Sequence, residues 1–81
     1  MTITVLFFAQ ARESAGRARG TLELPEGSRV SHALAALELE HPALAALRPH
    51  LAVAVDQQLA RPDALLTHGA ELALLPPVSG G

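Results

Sequence analysis

An α+β fold, with one main helix packed across a mixed β-sheet, is the architecture this sequence predicts. Three observations carry it. The chain opens on a β-branched and aromatic run, a single stretch of helical periodicity occupies its middle, and three short strand-like runs follow before a proline-rich end. At 81 residues the chain has the size of one domain.

Each element has a local reason. Ile3 to Phe8 combines β-branched and aromatic side chains, which suit a pleated surface. Alternation puts Ile3, Val5 and Phe7 on one face and Thr4, Leu6 and Phe8 on the other. The polar Thr4 marks the second face as the outer one. Ala9 to Gly16 is small and polar and ends in glycine, which predicts a turn or a short helix. Thr21 to Leu24 alternates again, and Pro25-Glu26-Gly27 stops it, so the first two strands are expected to form a hairpin. Ser28 or Ser31 is the expected cap of a helix from about Ser31 to Glu40. Its apolar face is Val30, Ala33, Leu34 and Leu37, with Leu44 and Leu47 extending it. Pro42 ends this helix or begins a second short turn. Leu51 to Val55 is a third strand, Asp56-Gln57-Gln58 a turn, and Leu59-Ala60 a short fourth strand broken by Arg61-Pro62-Asp63. After the turn at Thr67-His68-Gly69, Glu71 to Leu75 is the last strand, with Leu72 and Leu74 on one face. Strand, strand, helix, strand, short strand, strand is the order of the ubiquitin-like, or β-grasp, fold. The division expected is a β-grasp domain over 1–75 and an extended tail over 76–81.

Composition narrows the function. The net charge is −2, from six Arg, no Lys and eight acids. The arginines are scattered along the sequence and only Phe7 and Phe8 are aromatic, so neither a phosphate track nor a stacking platform for nucleic acid is expected. No apolar run approaches the roughly 20 residues of a membrane span, and no basic segment precedes the first one. A cytoplasmic location is the default expectation. There is no cysteine, which excludes a disulfide framework, a thiolate metal site and a catalytic thiol. His32, His41, His50 and His68 lack metal-ligand spacing, so no metal is expected.

The end of the chain carries the chemistry. Pro76 and Pro77 fix φ and favour an extended path away from the last strand. Six residues at about 3.3 Å each reach roughly 20 Å, enough to enter a pocket on another protein. Gly80 and Gly81 lack Cβ and make a slender end. A terminal carboxylate on Gly81 resists nucleophiles until a partner adenylates it, after which a sulfur donor can leave a thiocarboxylate. Such a carrier needs no cysteine. The plain alternative is a frayed terminus rich in small residues.

Two segments resemble the small subunit of molybdopterin synthase, the MoaD family. Val5-Leu6-Phe7-Phe8-Ala9-Gln10-Ala11-Arg12-Glu13 is similar to that family's opening strand and loop. Ala73-Leu74-Leu75-Pro76-Pro77-Val78-Ser79-Gly80-Gly81 is similar to its closing strand and tail. The resemblance spans nearly the whole chain. Departures are Asp56 where the family often has Asn, Ala70 in a Gly-Asp-Glu turn, and Leu75 where an aromatic is common. The resemblance implies a ubiquitin-like sulfur carrier. An E1-like adenylyltransferase would spend ATP to adenylate Gly81, and a sulfurtransferase would convert it to a thiocarboxylate. With Gly80 as its slender neighbour, Gly81 would then enter the large synthase subunit and give sulfur to cyclic pyranopterin monophosphate, forming the molybdopterin dithiolene. The chain would bind no cofactor and be no enzyme on its own. It would work as one of two small subunits with two large ones.

The resemblance also places the contacts with the large subunit and the E1-like enzyme on the outer sheet face, at Phe8, Leu59 and Leu75, and along the tail at Pro76, Pro77, Val78 and Ser79. Alternation alone reads Phe8, Leu59 and Leu75 either as such an exposed patch or as a satellite core. Arg12 and Glu13 are a partner contact or a solvated loop pair. Other readings of the terminal glycines are a carrier for thiamine or tRNA thiolation, a ubiquitin-like modifier, and a plain interaction domain.

Overall fold

A computed structural model describes residues 1–77. Five strands form one mixed sheet in the order β2-β1-β5-β3-β4. They are β1 (Thr2–Phe7), β2 (Arg19–Glu23), β3 (Ala52–Val55), β4 (Gln58–Ala60) and β5 (Glu71–Leu75). The helices are α1 (Ala9–Ala15) and α2 (Val30–Glu40), and two short 3₁₀ turns, Pro42–Ala46 and Arg48–His50, follow α2. The chain is therefore a ubiquitin-like β-grasp domain, as the element order predicts.

The alternation read from β1 and β5 fixes the inner face. Ile3, Val5, Phe7, Leu72 and Leu74 are buried, and they join Val30, Ala33, Leu34 and Leu37 of α2 and Val53 of β3 in one core. β5 lies at the centre of the sheet. It runs parallel to β1, with Val5 opposite Leu72 and Phe7 opposite Leu74. It runs antiparallel to β3, with Val53 opposite Leu74.

Several boundaries move for tertiary reasons. Ala9 to Ala15 resolves as a helix that buries Ala11 and closes on Gly16, whose φ of 74° is the left-handed conformation that costs glycine least. β2 begins at Arg19, two residues before the expected start, because pairing with Leu6 overrides the local polarity. The cap of α2 is Arg29 and not Ser28 or Ser31. The His32 Nδ1 accepts the Arg29 backbone N–H at 2.8 Å, which closes the first turn. Ser28 is buried instead, its hydroxyl donating to the Pro25 carbonyl at 2.7 Å. Leu44 reaches the core from a 3₁₀ turn with Pro42 at its start, so the helix face does not continue to it.

The β3–β4 hairpin turns on Asp56 and Gln57, with φ of 50° and 71°. Both central residues are left-handed, the pattern of the tight hairpin turns that favour Asn-Gly or Asp-Gly. Asp56 holds its place through its side chain, Oδ1 accepting the Glu71 N–H at 2.9 Å. Gln57 has no such compensation among the described residues. Gln57→Gly is expected to raise stability by about 0.5–1 kcal/mol, read as a higher denaturation midpoint at unchanged slope. An unchanged or lower midpoint would contradict this account of the turn.

Candidate functional site

The outer face of the sheet is apolar at one end. Pairing sets Arg19, Leu6, Ala73, Ala54 and Leu59 side by side in one row across β2, β1, β5, β3 and β4. In the next row Leu75 lies opposite Ala52. Phe8 continues β1 beside it, its N–H donating to the Leu74 carbonyl at 3.3 Å. Phe8 is 46% exposed and Leu59 79%, against 0% for Leu72 and Leu74 on the inner face. This difference decides between the two readings of the patch: these side chains are surface and not a satellite core. Leu75 is half-buried. Phe8 and Leu75 are neighbours, while Leu59 sits at the far edge and joins them through Ala54 and Ala73. The other end of the face is polar, with Thr4 opposite both Thr21 and Glu71.

β1 and β5 are parallel, so both finish at the apolar end, and the chain leaves the sheet there. Pro76 is buried and Pro77 exposed, which leaves Pro77 the better placed of the two to touch a partner. Val78, Ser79, Gly80 and Gly81 lie outside the described residues. The root of the expected tail is thus the end of a central strand held on both sides, next to an exposed phenylalanine.

Three of the four histidines, which lack metal-ligand spacing in the sequence, have local tasks. The His68 Nδ1 accepts the Thr2 N–H at 3.0 Å, and His41 meets the Phe7 ring edge-on at 6.0 Å between centroids. With His32 at the cap, three rings tie loops to the sheet or helix. Nothing in histidine spacing could have shown this, since each partner is set by the fold. Among the described residues no cluster of three or more His, Cys, Asp or Glu side chains could hold a metal ion. Also among them, no helix is long and apolar enough to cross a membrane.

A β-grasp domain with an apolar outer face where its last strand ends, in a chain whose sequence closes on Gly-Gly, has the architecture of the ubiquitin-like sulfur carriers. The chain belongs to the ThiS family, whose model matches residues 5–81. It is 39% identical over 79 residues to the molybdopterin synthase sulfur carrier subunit of Arabidopsis thaliana, covering 98% of this chain and 82% of that protein. It is 40% identical to the protein of the same name from Chlamydomonas reinhardtii, over the full length of both. Among solved structures, SAMP1 of Haloferax volcanii superposes over the whole of both chains with a TM-score of 0.91 at 31% identity.

Proposed function

We propose that this chain is the sulfur-carrier subunit of a molybdopterin synthase and that Gly81 is its working group. The observation that carries the reading is the junction of tail and sheet. A strand fixed in the middle of the sheet delivers the terminus from beside an exposed apolar surface, so docking of that surface determines where the terminus goes. Full-length similarity to sulfur carrier subunits of this synthase supports the same assignment.

The chemistry needs only the main-chain terminus. The Gly81 carboxylate attacks the α-phosphorus of ATP on an E1-like adenylyltransferase, and pyrophosphate leaves. A sulfur nucleophile at the oxidation level of sulfide, delivered by a sulfurtransferase, attacks the acyl carbon and AMP leaves. The thiocarboxylate sulfur then attacks a side-chain carbon of the cyclic pterin substrate on the large subunit, and the oxygen on that carbon leaves as a phosphate-ester oxygen or as water; a second thiocarboxylated carrier repeats the step at the neighbouring carbon. Water cleaves the acyl–sulfur bond, so sulfur stays on the substrate and the Gly81 carboxylate is regenerated. The acid, base and substrate-binding groups come from the large subunit, and the compartment is the cytoplasm. Phe8, Leu59, Leu75 and Pro77 form the docking surface, with Pro76 setting the direction of departure and the thin Gly80 entering behind Gly81.

Reconstitution tests this. Thiocarboxylated protein mixed with a large synthase subunit and cyclic pyranopterin monophosphate is expected to yield dithiolene. Phe8→Asp is expected to raise the half-saturating carrier concentration by about tenfold or more, the cost of a lost aromatic anchor. Absence of dithiolene from fully thiocarboxylated wild-type protein with an authentic large subunit overturns the reading.

The likeness to SAMP1, a small archaeal modifier protein, favours a second reading in which the activated glycine is joined to lysines of other proteins. That reading leaves C-terminal fragments of this chain in isopeptide linkage to target lysines in proteolytic digests, whereas the first does not.

A further inference from the structure

The corner where β1, α1 and β2 meet gathers half of the chain's arginines. Arg19 lies opposite Leu6, Arg17 precedes it by two residues, and Arg12 is on α1; all three are exposed. Two adjoining grooves share Ala9, Arg12 and Ala18. The first is completed by Leu6, Phe8 and Arg19, the second by Glu13 and Arg17. Among the described residues the one ion pair is Arg48 with Glu38, at 3.1 Å, so none of the three corner guanidiniums is paired with a carboxylate of the described residues. Glu13 is the one acid bordering either groove. The rest of the chain holds three arginines and seven acids. A chain of net charge −2 thus concentrates positive charge at one corner, and that corner adjoins the apolar end of the sheet where β5 finishes.

We propose that the Arg12–Arg17–Arg19 corner is an electrostatic docking surface for a partner protein that presents a pocket for Phe8 rimmed by carboxylates. The proposal rests on the sulfur-carrier reading and names the chemistry of the surface that receives the carrier. Guanidinium groups match carboxylates in a planar, paired geometry and are weakly hydrated, which suits them to the margin of an apolar contact. The charge separation also orients approach. A carboxylate-rich surface repels the acidic bulk of the domain and attracts this corner, so encounter occurs with the root of the tail facing the partner. Nucleic acid does not fit, because seven acids elsewhere oppose a phosphate track and no Trp or Tyr is present to stack on bases.

Association kinetics with the large synthase subunit test the proposal. The variants are Arg17→Glu/Arg19→Glu, the milder Arg17→Gln/Arg19→Gln, and Arg61→Glu as an exposed cation outside the corner. At low ionic strength the double reversal is expected to slow association by about tenfold, the neutral pair by less, and Arg61→Glu little. At roughly 0.5 M salt the differences shrink toward zero, while the Phe8→Asp defect in dissociation persists. Unfolding midpoints measured alongside are expected to stay near wild type, because both side chains are exposed. If wild-type protein binds and the double reversal associates as fast at low salt, the corner proposal fails and the carrier reading stands. If wild-type protein does not bind, both fail. Self-association of wild-type protein in sedimentation that the double reversal abolishes would assign the corner to a second copy and overturn the proposal.

Discussion

A chain ending at Gly80 is expected to fold like the full-length protein and to acquire no transferable sulfur. Removing one residue withdraws the acyl carbon by up to about 3.3 Å. Displacements of even 1 Å cost on the order of 100-fold when a reacting group must meet its partner in a fixed cavity, so transfer should fall by at least ~100-fold. The check is the intact mass after incubation with the adenylating enzyme, ATP and the sulfur donor. Full-length protein should show the exchange of oxygen for sulfur, and the shortened chain should not support dithiolene formation. The core ends at residues such as Leu74, so the unfolding midpoint should not move. A shortened chain that works at the normal rate would remove Gly81 as the working group.

Leu74→Ala should have the largest effect on stability. Leu74 is fully buried, lies opposite both Phe7 and Val53, and immediately precedes the half-buried Leu75. Truncating a buried leucine costs about 2–5 kcal/mol, because the lost transfer energy adds to that of a cavity. Against a total of roughly 5–12 kcal/mol for a domain of this size, that is a large fraction. The midpoint should fall by roughly 8–40 °C, taking ~4–8 °C per kcal/mol. Leu59→Ala, at a side chain 79% exposed, should shift it by no more than about 0.5 kcal/mol. Calorimetry or thermal circular dichroism on the pair separates the inner face from the outer one. Similar losses at both positions would contradict the division.

What could be read in advance follows the range of the interaction. β1, β5 and α2 were legible because each writes its buried face in its own periodicity: Ile3, Val5 and Phe7; Leu72 and Leu74; Val30, Ala33, Leu34 and Leu37. The same alternation left Phe8, Leu59 and Leu75 open between an exposed patch and a satellite core, and the structure set them on the outer face, with Phe8 and Leu59 exposed. α1 stayed undecided, since seven residues with one buried alanine give too little pattern. The early start of β2 and the Arg29 cap depend on partners that local propensity does not contain, Leu6 for the first and the His32 ring for the second. The arginine corner was invisible for the same reason. Arg17 and Arg19 read as scattered cations, and Arg12 only as half of a loop pair or partner contact with Glu13, until antiparallel pairing brought β2 back alongside Leu6. The terminal glycines are the opposite case: the residues from Val78 onward lie outside the described ones, and their role rests on composition, on family resemblance and on where β5 ends in the sheet.

The central position of β5 also governs how the protein is made. While the chain is still emerging from the ribosome, β1 and β3 have no strand between them, and the long-range pairing that joins them waits for β5, the last strand of the sheet in chain order. A nascent or clipped polypeptide lacking that segment exposes two unsatisfied strand edges, and cellular quality control acts on such species. On the proposed function, completion of the domain and presentation of the Gly81 carboxylate would be one event, so an activating enzyme would meet that group only on molecules that have finished folding.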